Sequence, residues 1–189
     1  NTDLAYKALK FQGYPDEDIY FMSPVTFSAG TDGLPTRDNL KYAIETWAGQ
    51  GTQEVIIYMI GRGDYDTFRI SHEEIISPND LDTWLDVLQN AESVRVTVIY
   101  DACGSGSFLS PVIPPEGKER ILVASTSEDQ TIANFILEGE LSFSQFFWNN
   151  VINGTSIKDA LYWTTLSIEP LSGQMPRVDA DSNGVGNEK

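Results

Sequence analysis

Apolar residues recur along this chain at two periods, and the switches between them mark out its elements. Leu4, Ala5, Ala8 and Leu9 fall at helical spacing, with Gly13 placed to close the helix in a left-handed conformation. Ile19-Tyr20-Phe21-Met22 then reads as a short strand, and the polar run from Ser23 to Thr36 as a loop. Thr36 is placed to cap a helix carrying Leu40, Ile44 and Trp47, which Gly49 and Gly51 end. The apolar run Val55-Ile56-Ile57-Tyr58-Met59-Ile60 predicts a buried strand, and Thr67-Phe68-Arg69-Ile70 a hairpin extension after it. Ser77-Pro78 opens the next helix, whose buried stripe is Leu81, Trp84, Leu85 and Leu88.

The second half continues the alternation. A β-branched run from Val94 to Ile99 gives a strand, as does Ile121-Leu122-Val123-Ala124, with the proline-rich loop of Pro111, Pro114 and Pro115 between them. Two helices follow, over about 142–152 and 156–168, broken at Gly154. Strands alternating with helices predict an α/β fold: a three-layer sandwich of a mostly parallel sheet with helices on both faces. A series of this kind usually starts on a strand, so a strand is expected upstream of Asn1. Residues 1–175 read as one domain and 176–189 as an acidic C-terminal tail.

Composition narrows the partners. With 189 residues and 41% hydrophobic content the chain can bury a core, so its formal net charge of −16 is not a sign of disorder. That charge argues against nucleic acid or an anionic membrane surface and favours cationic ligands or divalent cations. No apolar run approaches the length that spans a bilayer, so no membrane insertion is expected. Asn1 in first place reads as the start of a processed piece. One cysteine excludes an internal disulfide.

That cysteine lies in Tyr100-Asp101-Ala102-Cys103-Gly104-Ser105-Gly106-Ser107, just past the end of a strand, where open α/β sheets place their chemistry. A lone cysteine is commonly a small buried hydrophobe. Here the flanking glycines leave backbone amides able to face a ligand, and such amides stabilise the oxyanion of a tetrahedral intermediate. Neither a G-x-S-x-G elbow nor a phosphate loop fits the run.

The segment resembles the nucleophile strand of the legumain-type cysteine peptidases, relatives of caspases, gingipains and clostripain. Ala5-Tyr6 through Gly13-Tyr14-Pro15-Asp16-Glu17 is similar to that family's first helix and turn, and Val55 to Asp64 to the strand that ends in its His-Gly. Val123-Ala124-Ser125-Thr126-Ser127 is similar to the strand lining its substrate cleft. The resemblance implies a caspase-like fold and a cysteine endopeptidase, with Cys103 attacking the peptide carbonyl and the amides of Gly63 and Cys103 holding the oxyanion. It also implies substrate contacts at Asp101, Ser125, Thr126 and Glu140, no required cofactor, and a peptide or protein as substrate or ligand.

One position departs from the pattern. Arg62 stands where the family carries histidine, and a guanidinium does not release a proton near neutral pH. It can hold a thiolate electrostatically, but amide cleavage also needs a proton delivered to the leaving amine. The expectation is therefore an inactive or strongly impaired peptidase domain. The alternatives are a non-catalytic peptide- or partner-binding module of a larger secreted protein, and an unrelated flavodoxin-like module in which Arg62 and Cys103 lie far apart. His72, the only histidine, reads as a solvated residue beside Glu73 and Glu74, and Arg62-Gly63-Asp64 as a coincidental adhesive tripeptide.

The last stretch, Asp179-Ala180-Asp181-Ser182-Asn183-Gly184, has oxygen ligands at alternate places and glycine in sixth, the first half of a calcium loop. Asp179, Asp181 and Asn183 are its candidate ligands; a disordered tail accounts for the same residues. Loops of this kind point to an extracytoplasmic or secreted location.

Overall fold

The computed structural model describes residues 1–25, 30–131 and 142–186. In chain order the elements are α1 (Thr2–Phe11), α2 (Arg37–Tyr42), β1 (Glu54–Ile60), β2 (Arg62–Asp64), β3 (Thr67–Arg69), β4 (Ile75–Ile76), α3 (Pro78–Ala91), β5 (Arg95–Asp101), β6 (Arg120–Ala124), α4 (Phe143–Ile152), α5 (Ile157–Ser172) and β7 (Arg177–Asp179). The chain divides into two compact units, Asn1–Leu34 with Ile132–Met175, and Pro35–Thr131 with Pro176–Lys189.

The second unit holds a four-stranded sheet in the order β1-β5-β6-β7. β5 runs parallel to both β1 and β6, so the expected α/β fold with a mostly parallel sheet is what forms. All residues of β5 after Arg95 are buried, which explains its continuous apolar, β-branched run. A separate antiparallel sheet, β2-β3-β4, extends the hairpin expected after β1, pairing Gly63 with Phe68 and Phe68 with Ile76.

Helix ends follow the local signals. Ser77 and Asp80 form a reciprocal capping box with Pro78 in the first turn of α3, and all four expected stripe residues are buried. Thr36 accepts from the Asn39 amide to cap α2, whose last residues run into a wider turn over Ala43–Trp47. In the first unit Gly13, at φ +95°, closes α1: its amide donates to Lys10 O and the next amide, of Tyr14, to Leu9 O. Gln12 then donates to Val151 O and Ile152 O at the end of α4. Ala160, Thr164 and Ile168, four residues apart, form the buried edge of α5.

Two expectations fail. Ile19–Met22 is not a strand; only Met22 forms an isolated bridge, to Gly33. The Phe21 amide donates to the Asp32 carboxylate and the Asp32 amide to Phe21 O, so these groups are spent on a loop return, not on a ladder. Nor do the described residues 176–186 hang free of the sheet. β7 pairs antiparallel with β6, and Ser182 Oγ both accepts from Arg120 N and donates to Arg120 O.

Arg120 itself is fully buried on β6. Its guanidinium donates to Asp82 at 2.8 Å, to Asp86 at 2.9 Å and to Gln89 Oε1 at 2.8 and 3.0 Å, all on α3. Burial and the nearby Asp86 charge push the Asp82 carboxyl up, against the pull of Arg120. The cluster therefore holds two carboxylates on one guanidinium, and taking the cation away leaves them opposed and uncompensated.

Two outcomes follow for stability. Arg120→Met should lower the free energy of unfolding, read by urea denaturation, by about 3 kcal/mol, the low end for breaking a buried pair because Asp82 and Asp86 are partly solvated. Asp80 sits in the capping box and pairs with Arg37, whose hydrogen bonds hold its carboxyl far below the ordinary carboxylate range. A carboxyl held low in the fold binds fewer protons there than in the unfolded chain. Its contribution is thus complete above the unfolded value of about 4 and is lost as pH falls below it. Asp80→Asn should lower Tm at pH 7 and flatten the drop in Tm between pH 5 and about pH 2 in thermal melts.

Candidate functional site

β5 ends at Asp101, and the chain turns through Ala102-Cys103-Gly104 into a short 3-10 turn over Ser105–Phe108. Cys103 is partly exposed at the carboxyl end of a strand flanked on both sides by parallel neighbours, β1 and β6. Its loop lies between two backbones. On one side is β2: a Cβ on Gly63 would stand 2.5 Å from Cys103 O and 2.8 Å from Ala102 Cβ, and one on Gly104 would stand 3.0 Å from the Asp64 carbonyl carbon. On the other side is the segment after β6, where a Cβ on Gly106 would meet Glu128 N at 2.7 Å and Thr126 O at 2.9 Å. Gly104 also sits at φ +63°, in the left-handed region.

Hydrogen bonds fix this packing. Ser107 Oγ donates to Gly104 O and accepts from the Asp66 amide, joining the loop to the hairpin tip, where Asp66 is held at φ +54°. Tyr100 OH donates to Thr67 O. Its phenol is pushed up by burial and, secondarily, by the neighbouring Cys103 and Asp101, so it stays protonated and acts as a donor. The Gly104 amide donates to Gln130 O at 2.8 Å, and the Ser105 amide to Thr126 Oγ1 at 3.1 Å.

The structure brings some of the expected site together and reassigns the rest. Gly63 lies against the Cys103 loop. Arg62, one residue earlier on β2, is exposed and stands opposite Arg69 in the hairpin register, and its side chain makes no hydrogen bond or ion pair among the described residues. β2 is laid along the Cys103 loop, whereas the flavodoxin-like reading expects Arg62 far from Cys103. Amides expected to be free for a ligand are occupied: Gly104 and Ser105 as above, and Ser107 to Gly104 O. Ser125 and Thr126 are fully buried, and Asp101 nearly so, so their side chains do not line an open surface. Glu140 lies outside the described residues. His72 is exposed, its carbonyl accepting from Arg69, in keeping with a solvated residue.

At the other end of the unit, the buried Asp179 carboxylate accepts from the Asn183 and Gly184 amides, while Asn183 Nδ2 donates to Asp181. The three expected calcium ligands are thus close, but the Asp179 oxygens are turned onto the loop's own amides. Among the described residues no group of three or more His, Cys, Asp or Glu side chains is gathered as a metal ion would need. Nor is any described helix long and apolar enough to cross a membrane.

Sequence reasoning did not find Gln130, or the side-chain roles of Ser105 and Ser107, as parts of the site. The only signal for Ser105 and Ser107 is their alternation with Gly104 and Gly106, and Gln130 has none. No family model matches the chain, and no curated protein matches it.

Gly63→Ala tests the packing. The added Cβ meets backbone that cannot step aside, so unfolding stability should fall by about 2 kcal/mol, and the rate of Cys103 alkylation by iodoacetamide should change in parallel. Ala tolerated at Gly63 with both quantities unchanged would contradict the close approach.

Proposed function

We propose that this chain is a cysteine-peptidase-type domain in which Cys103 is the nucleophile and Arg62 removes the proton chemistry that amide hydrolysis needs. The observation that carries this reading is the seating of Gly63 on the Cys103 loop, which sets the residue after Arg62 beside the nucleophile at the carboxyl end of a parallel sheet. A thiol there can attack a carbonyl carbon, and the Gly63 and Cys103 amides are the donors that would meet the resulting oxyanion. Arg62 carries positive charge but releases no proton near neutral pH, so a leaving amine is not served.

A peptide or protein is the ligand this reading implies. Asp64, Glu128 and Asp129 are exposed on the segments that flank the loop, and they favour a basic side chain in place of the buried Asp101. An extracytoplasmic setting belongs to the same proposal. A second reading, a peptide-binding module without turnover, is favoured by arginine, which cannot act as a base, at the position after which Gly63 meets the Cys103 loop.

The test is restoration. The parent chain and an Arg62→His variant are incubated with a peptide panel and with an electrophilic probe directed at thiols. Labelling at Cys103 in both, and cleavage in the variant at least about 100-fold above the parent, is the expected result, since loss of one member of a catalytic pair costs orders of magnitude. If the variant gains neither cleavage nor faster labelling, the impaired-peptidase reading falls.

A further inference from the structure

We infer that Thr126 is a positioning residue for Cys103, setting the direction of the Cys103 amide through the peptide plane that precedes it. Ala102 C=O and Cys103 N–H belong to one rigid peptide unit, so whatever holds the carbonyl also aims the N–H. Thr126 Oγ1 donates to Ala102 O at 3.2 Å. That donation uses the only hydrogen of the hydroxyl, so the same oxygen acts as acceptor toward Ser105 N at 3.1 Å and Ser105 Oγ at 3.1 Å. Ser105 Oγ in turn accepts from the Thr126 amide at 3.0 Å. The clasp is closed, buried, and satisfied at every atom it uses.

The next plane is held separately. Cys103 C=O and Gly104 N–H share a peptide unit, and Gly104 N donates to Gln130 O at 2.8 Å. Both planes around Cys103 are thus tied to one short segment, 126–130, so the cysteine has little freedom in either backbone dihedral. This inference rests on the reading of Cys103 as an acyl-accepting nucleophile, and it assigns the buried Thr126 a task other than the substrate contact expected from sequence.

Two reactions of the same thiol separate positioning from bulk stability. With p-nitrophenyl acetate the Cys103 thiolate attacks the ester carbonyl, a thioester forms, the C–O bond breaks and p-nitrophenolate leaves as an anion. This passes through an oxyanion and needs no proton for the leaving group. Iodoacetamide alkylates the same sulfur by displacing iodide, with no oxyanion. The ratio of the two rates therefore reports amide geometry, and changes in thiolate fraction or access cancel from it to first order.

In the parent the ratio should exceed that of a short cysteine peptide by about tenfold or more, a modest share of what one oxyanion donor contributes. Thr126→Val, near in volume but without the hydroxyl, should lower the ratio by about tenfold, and Thr126→Ser should restore it, all measured well below each Tm. If Thr126→Val does not fold, Ser105→Ala, which removes the hydroxyl paired with Thr126, should lower the ratio in the same direction. A folded Thr126→Val, or failing it Ser105→Ala, whose ratio equals the parent's, overturns the positioning role even if Tm falls. A parent ratio no higher than the peptide's overturns the nucleophile reading itself, which is a separate result.

Discussion

The loop that carries Cys103 runs between two backbones with no room for a side-chain carbon on either flank, and much of the second unit is arranged around that fact. Gly63 and Gly104 let β2 and the loop approach each other, while Gly106 admits the segment after β6. Such approaches are stable only if the polar groups they bury find partners. Here they do: Tyr100 OH bonds Thr67 O, Ser107 ties Gly104 to Asp66, and Thr126 with Gln130 secures both sides of Cys103. Glycine gives the proximity and hydroxyls convert it into fixed geometry.

Arg120 performs a comparable service one layer away. Its guanidinium joins β6 to α3, and its backbone amide and carbonyl are both taken by Ser182, which brings the segment after β7 against the sheet. A buried cation shared by two carboxylates contributes less than its bond count suggests, because the carboxylates repel each other and the cation has left water. What it adds is register: five donors in a rigid fork match only one placement of α3 along β6. That placement bears on the site, because β6 leads directly into Ser125 and Thr126.

What could be read from sequence was whatever a few neighbouring residues decide. The caps at Thr36 and Ser77, the left-handed closure at Gly13, the buried stripe of α3 and the strands leading to Gly61 and Cys103 are local chemistry, and all appear as expected. Where the outcome depended on a distant partner, the pattern misled. Ile19–Met22 has strand-forming residues, but Asp32 takes the Phe21 backbone groups. The run around Gly104 and Gly106 suggests amides freed for a ligand, whereas both glycines are needed for what a Cβ would strike. Nothing in the neighbourhood of Arg120 or Gln130 announces their partners, which lie far along the chain or are backbone atoms.

The same distinction bears on position 62. The contact that sets β2 beside the cysteine is made by the backbone at Gly63 and Asp64, not by the Arg62 side chain, which is exposed and takes no part in the hydrogen-bonded scaffold. On the proposed reading, the geometry of the nucleophile and its supply of protons are therefore separable properties. Replacing the residue at 62 changes what leaving groups the site can serve without disturbing the loop that aims the thiol. Amines, which must be protonated to depart, are the groups most affected. Leaving groups that depart as stable anions make no such demand, so a site with arginine at 62 keeps the carbonyl-attack half of the chemistry and loses the half that releases an amine.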